Sequence, residues 1–101
     1  MNNNFHKPTV IYVPDTTYFL SNRQMEVLEK LANGYSTKQI AFAMGLSQRT
    51  IMAHVTDLKN KMNCGNRCQI IAKAFMAHIL VPGPDELVLI NHIFHKGKVP
   101  A

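Results

Sequence analysis

Stretches of helical periodicity alternate with short polar breaks through the middle of the chain. Within each stretch apolar residues recur every three or four positions, which places them on one face of an α-helix. A serine or asparagine, whose side chain can cap a helix N-terminus, precedes each stretch. Four helices are therefore predicted, over residues 22–32, 37–44, 48–62 and 67 to about 78, with Ser21, Ser36, Ser47 and Asn66 as their N-caps.

The second and third predicted helices are separated only by Gly45, Leu46 and Ser47. Glycine accepts the positive φ that a tight turn needs, and the small Ala41 stands where two closely crossing helices would touch. A single apolar stripe runs along the third helix and consists of Ile51, Val55, Leu58 and Met62. This order of helix, glycine turn and helix is typical of a helix-turn-helix unit, whose second helix enters the major groove of DNA.

The side of the third helix opposite its apolar stripe is small and polar. At about 100° per residue, that side carries Arg49, Ala53, Thr56 and Asn60, flanked by Met52 and Asp57. Arg49 can pair with a guanine edge, and Thr56 can donate to or accept from a base. Met52 or Ala53 can touch a thymine methyl group. Asp57 adds a negative charge near this side of the helix.

Neither end of the chain continues the helical pattern. Residues 1–20 contain two prolines and the β-prone run 9–13, which predicts an extended arm or one strand that lies on the core, pairs with a second subunit or stays loose. The run 82–84, Pro-Gly-Pro, is predicted to end the fourth helix. Residues 85–95 are predicted as a helix, with a strand over 87–90 as the alternative. The apolar side chains of 87–94 must cover the same subunit's core or a neighbour's matching segment, and we expect a homodimer.

The chain has a formal net charge of +5, and this charge is concentrated in residues 21–80. That segment contains eight lysines and arginines against three acidic residues. A basic surplus of this kind favours a polyanionic partner such as nucleic acid, although anionic membranes or mere solubility also fit it.

Features of other protein classes are missing from the sequence. The chain does not begin with a charged leader followed by a long apolar run, so we expect a cytoplasmic protein without a membrane partner. Cys64 and Cys68 are then reduced thiols, and together with the distant His92 and His95 they lack the tight ligand spacing of a zinc site. No nucleophile, base and acid converge in sequence and no phosphate loop appears, so we expect neither an enzyme nor a cofactor.

Several short motifs occur together between residue 20 and about residue 80. They are Arg23 with Glu26-Val27-Leu28, Gly34 with Ser36 and Lys38, Ile40-Ala41, Ser47 with Thr50-Ile51 and His54, Lys61-Met62, and Arg67 with Ala74. In combination they resemble the LuxR-type (GerE-like) helix-turn-helix domain, the output domain of bacterial quorum-sensing and response-regulator proteins. The related four-helix region of sigma factors shares part of the pattern, but His54 and Arg67 fit the LuxR type better.

The resemblance implies an all-α fold of four helices, DNA contact through the third helix and often dimerisation through the fourth. We expect the LuxR-type domain over residues 21–80, an extended arm over 1–20 and an apolar tail over 81–101, helical or strand, as a candidate dimerisation segment. No sensory or receiver domain precedes the motifs, which favours a stand-alone regulator. The residues expected to contact DNA are Lys38, Ser47, Gln48, Arg49, Met52, Ala53, Thr56, Lys59 and Asn60.

The chain also departs from the pattern of the family it resembles. Members commonly have Lys or Arg where Met52 stands, a basic or polar group at Thr56, and Glu where Gln24 stands. Arg49 is then the main cation of the DNA side, helped at its edges by Lys38, Lys59 and Lys61. Each of these cations can instead be a solvated surface residue, and Arg67 is expected to bond within the domain.

Two functions follow from these features. The first is a sequence-specific DNA-binding transcriptional regulator that acts as a dimer on double-stranded DNA. The second is a protein-interaction module, such as an anti-activator that pairs with a partner regulator protein without contacting DNA. Met52, Asp57 and the apolar tail favour the second function.

Overall fold

The computed structural model describes residues 9–86, which form a helical domain with a small two-stranded sheet. The elements are β1 (Val10–Tyr12), α1 (Asn22–Ala32), α2 (Thr37–Met44), α3 (Gln48–Met62), α4 (Arg67–Met76) and β2 (Leu80–Pro82). Helical backbone resumes over residues 84–86. The predicted all-α class and its four helices are confirmed, and the sheet is an addition to them.

Each of the four helices begins at the predicted N-cap. The side-chain oxygens of Ser21, Ser36, Ser47 and Asn66 accept hydrogen bonds from the backbone N–H groups three residues further on. In α1 and α2 the glutamine at that third position also accepts from the backbone N–H of the serine, which completes a capping box. Local sequence therefore determines where the helices start.

The core lies where α1 packs against α2, α3 and α4. Its fully buried side chains come from every helix and from the segment that follows α4, and they include Leu28, Ile40, Ile51, Leu58, Met62, Ile70 and Ile79. The apolar stripe predicted for α3 contributes three of these residues, while Val55 of the same stripe is partly buried against them. This packing fixes which side of α3 remains outside.

The β-prone run near the N-terminus pairs with the segment after α4. β1 and β2 are antiparallel, with Ile11 opposite Val81. Two backbone N–H groups of β1 donate to side chains of α1 and of its C-cap. Asn33 Oδ1 accepts from Val10 N at 3.0 Å, and Glu29 Oε2 accepts from Tyr12 N at 3.0 Å. Residues assigned from sequence to the arm and to the tail are thus joined beside α1.

The end of α4 differs from the prediction. α4 stops at Met76 instead of about His78, since His78 adopts a positive φ of 61° and the chain turns into β2. Pro82, predicted only as a helix terminator, is the last residue of that strand. The helix predicted over 85–95 and the alternative strand over 87–90 lie almost wholly outside the described residues.

Candidate nucleic-acid interface

A glycine turn holds α2 and α3 in a fixed relation. Gly45 has a φ of 66°, the left-handed conformation expected from the sequence, and its N–H donates to the carbonyl of Phe42. The N–H of Leu46 donates to the carbonyl of Ala41 at 2.9 Å. Ala41 is buried, as predicted for the crossing point, and Ile51 of α3 is buried in the same core. The outward side of α3 is therefore presented by a rigidly packed unit.

The nine residues predicted to contact DNA lie on the outward side of α3, at its N-cap Ser47 and at the start of α2. Eight of them are exposed and one, Lys59, is half-buried; the exposed ones are Lys38, Ser47, Gln48, Arg49, Met52, Ala53, Thr56 and Asn60. The hydroxyl of Ser47 is already engaged, because it caps α3 and lies 3.0 Å from Thr50 Oγ1. The predicted contact residues that lie on α3 itself form a continuous face along the helix, which we call the outer face. They are Gln48, Arg49, Met52, Ala53, Thr56, Lys59 and Asn60.

Three of the residues predicted to contact DNA are cations. Lys38, Arg49 and Lys59 make no hydrogen bond or ion pair with another side chain within residues 9–86. In that part of the chain, Arg23 and Glu26 form an ion pair at 3.5 Å on the exposed surface of α1. The three cations are thus available to an anionic partner.

One flank of α3 faces the N-terminus of α2 across an open groove of about 380 Å³. The groove is lined by Ser36, Thr37, Met52, Val55, Thr56, Lys59 and Arg67. Arg67 donates from Nη2 to the carbonyl of Tyr35 at 3.1 Å, which is the role within the domain expected for it. Ser36 and Thr37 were not among the residues predicted to contact DNA. Thr37 lies in the first turn of α2, where backbone N–H groups lack partners within the helix, and this feature points to it, whereas the N–H and Oγ of Ser36 are used in the capping box with Gln39.

The other flank of α3 faces α1, and here the structure corrects two expectations. Asp57 accepts a hydrogen bond from Gln24 Nε2 at 3.3 Å, so its carboxylate is directed to α1 rather than left free beside the outer face. Lys61 donates from Nζ to the carbonyl of Phe19 and to Gln24 Oε1, both at 2.9 Å. Lys61 therefore joins α3 to the start of α1 and does not belong with the edge cations.

The described residues show no metal-binding arrangement of side chains. Within residues 9–86 no group of three or more His, Cys, Asp or Glu side chains is placed to hold an ion. Cys64 Sγ donates to the carbonyl of Met62 at 3.4 Å and Cys68 is exposed, while His92 and His95 lie outside the described residues. Among the helices of the same part of the chain, none combines the length and apolar character needed to cross a membrane.

A helix, a glycine turn and a second helix with an exposed polar face, supported by α1 and α4, define a helix-turn-helix protein. Residues 19–74 match the family described as bacterial regulatory proteins, luxR family. The match covers more than half of the chain, and the chain belongs to this family. The family consists of transcription regulators and not of enzymes, in agreement with the sequence analysis.

Individual relatives are similar over the same part of the chain. A glycerol metabolism activator of Pseudomonas putida is 36% identical over 63 residues, which are 62% of this chain and 28% of the relative. The transcriptional activator protein LuxR of Aliivibrio fischeri is 40% identical over 57 residues, 56% of this chain and 23% of LuxR. The transcriptional regulatory protein DegU of Brevibacillus brevis is 33% identical over 57 residues, 56% of this chain and 24% of DegU. The chain thus spans about a quarter of the length of these relatives.

Proposed function

We propose that this chain is a sequence-specific DNA-binding regulator of transcription, with α3 as its recognition helix. The observation that carries the proposal is the outer face of α3, which is mostly polar and exposed while the opposite stripe of the same helix packs in the core. Membership of the family and similarity to activators and regulators of transcription support it. Such a protein acts in the cytoplasm of a bacterium, where the chromosome lies.

The proposed contacts divide into base contacts and phosphate contacts. Arg49, Met52, Ala53 and Thr56 are placed along the outer face to meet base edges, with Arg49 suited to guanine. The other proposed contacts, to phosphates and the groove edges, are Lys38, Ser47, Gln48, Lys59 and Asn60. Selection from a randomised library of labelled duplexes tests this function. A shared sequence motif among the selected duplexes supports it, and selection without enrichment contradicts it.

DNA binding is expected to weaken steeply as salt is raised. If Lys38, Arg49 and Lys59 each release about one condensed counterion, whether they meet a phosphate or lie within the groove, the logarithm of the affinity falls with the logarithm of the salt concentration with a slope of about −2.7 per chain. Between about 50 and 200 mM salt this amounts to a loss of roughly fortyfold per bound chain. Fluorescence anisotropy of a labelled duplex measures it directly.

Two substitutions make the salt measurement specific to the interface. Lys59→Ala is expected to reduce the magnitude of the slope by about 1, because one phosphate contact is lost. Lys30→Ala removes the same charge from α1, outside the proposed interface, and is expected to leave the slope unchanged. An affinity insensitive to salt, or equal changes of slope in the two variants, would contradict the phosphate contacts.

We further propose that the regulator is a homodimer. The exposed side of α4 carries Cys68, Ala72, Phe75 and Met76, of which Met76 is 78% exposed, and the apolar tail over 81–101 follows it in the chain. Apolar surface of this kind is usually covered in an assembly. Light scattering is expected to give the mass of two chains at high micromolar concentration, and Met76→Asp is expected to shift it towards one. A native chain that stays monomeric there would refute the dimer.

A second candidate function is the protein-interaction module, and one observation favours it. Met52 is 59% exposed on the outer face, where an apolar side chain cannot bind phosphate, and Phe42 is 87% exposed on the neighbouring α2. The duplex selection separates the two functions. A chain that enriches no duplex at low salt but pulls down a full-length regulator of its own family is an interaction module.

A further inference from the structure

A single amide joins two opposite charges of α3 to the start of α1. Gln24 is 5% exposed and is the buried polar residue among residues 9–86. Its Oε1 accepts from the backbone N–H of Ser21 at 3.1 Å and from Lys61 Nζ at 2.9 Å, while its Nε2 donates to Asp57 Oδ2 at 3.3 Å. Both polar atoms of the Gln24 amide therefore have hydrogen-bond partners.

The network requires an amide at position 24. The amide serves Lys61 and Asp57 together because it has both an acceptor oxygen and a donor NH₂, whereas a carboxylate only accepts. A glutamate at this position would still accept from Lys61 but would set a second carboxylate against that of Asp57. Like charges at this separation repel, so Asp57 would lose its hydrogen bond to residue 24, which we call the tether, and its carboxylate would turn away. The identities of residues 24 and 57 are thus matched to each other.

Asp57 lies close to the outer face, so its hydrogen bond to Gln24 affects the charge in front of that face. On α3, Asp57 lies one turn from Ala53 and from Asn60, both of which are exposed on the outer face. A carboxylate released from Gln24 can reach the solvent in front of that face, where the phosphates of a bound duplex would run. The hydrogen bond from Gln24 lowers the repulsion between this exposed carboxylate and those phosphates.

We propose that Gln24 is a positioning residue for DNA binding, which holds the Asp57 carboxylate away from the phosphate backbone. The inference rests on the proposed function of α3. Gln24 itself contacts no DNA; it acts through Asp57. The capping role of Gln24 in α1 is separate, because a glutamate at position 24 would keep it.

Gln24→Glu is expected to lower the affinity for a selected duplex about three- to tenfold at low salt, and less at high salt because the repulsion is screened. The double variant Gln24→Glu with Asp57→Asn exchanges donor and acceptor between the two positions and keeps the native net charge. Its amide at position 57 can donate to the glutamate, so its affinity is expected to return to within about twofold of the native value.

The matched control is Gln24→Glu with Glu26→Gln, which also restores the native net charge. Glu26 lies on the exposed surface of α1 in a weak pair with Arg23, so its neutralisation does not rebuild the tether. The control is expected to bind as weakly as Gln24→Glu alone. Thermal unfolding of every variant establishes that each is folded at the temperature of the binding measurement.

The outcomes separate this inference from the proposed function. Recovery in the double variant that carries Asp57→Asn, without recovery in the control, supports the tether. Equal recovery in both double variants, recovery in neither, or a Gln24→Glu chain with native affinity overturns the inference while leaving the native chain a DNA-binding protein. A native chain that binds no duplex overturns both.

Discussion

Arg49→Ala is expected to weaken binding to the selected duplex by ~1–3 kcal/mol and to relax sequence preference at one base position in each half-site. Arg49 is exposed in the first turn of α3, on the side away from the buried stripe, and its guanidinium makes no bond to another side chain within residues 9–86. A bidentate contact with a guanine would be lost with the side chain, whereas the loss of a phosphate contact would weaken all sequences equally. Competition with duplexes carrying single base changes distinguishes these two contacts.

Arg23→Ala is the matched control for the loss of Arg49. It removes the same charge from an exposed residue of α1 whose side chain is paired with Glu26. We expect nearly native affinity and specificity from it, and a change of unfolding free energy below about 0.5 kcal/mol in either arginine variant. Equal losses of affinity in both variants would mean that Arg49 acts only through the overall charge of the chain.

Leu58→Ala is expected to lower the free energy of unfolding by about 2–5 kcal/mol. Leu58 is fully buried in the middle of the apolar stripe of α3, and removal of its branched end leaves a cavity in the core beneath α1. A domain of this size has a total stability of roughly 5–15 kcal/mol, so the variant should be partly unfolded at elevated temperature. Urea titration followed by circular dichroism measures the loss.

Asn60→Ala is the control on the same helix. Asn60 is exposed on the outer face, and alanine favours helix, so its stability is expected to stay within about 0.5 kcal/mol of the native value. A similar loss of stability in both variants would contradict the division of α3 into a buried stripe and an outer face.

The helices and their starting points could be predicted because their causes are local. Ser21, Ser36, Ser47 and Asn66 each cap a helix through a group three residues away, and the apolar stripe of α3 repeats with the helical period. The left-handed φ of Gly45 follows in the same way from its place in the turn. The exposure of the outer face then follows from the burial of the stripe.

The features that could not be predicted from the sequence depend on contacts between segments that are far apart along the chain. β2 has only three residues and ends in proline, so it shows no strand pattern, and it forms because it pairs with β1, which α1 holds in position. The helical wheel places Asp57 and Lys61 at the side of α3. Their common partner, Gln24, is 33 and 37 residues away and is identified only when α1 is packed against α3.

Titration of the isotopically labelled chain with a selected duplex, followed through the NMR signals of its backbone amides, tests the central claim most directly. The account predicts that, near physiological salt, the largest shifts fall along the outer face from Gln48 to Asn60 and at the start of α2 around Lys38. The signals of residues buried in α1 should change little. Shifts confined to α4, to the surroundings of Phe42 or to the two strands, with α3 unaffected, would contradict the claim that α3 is a recognition helix.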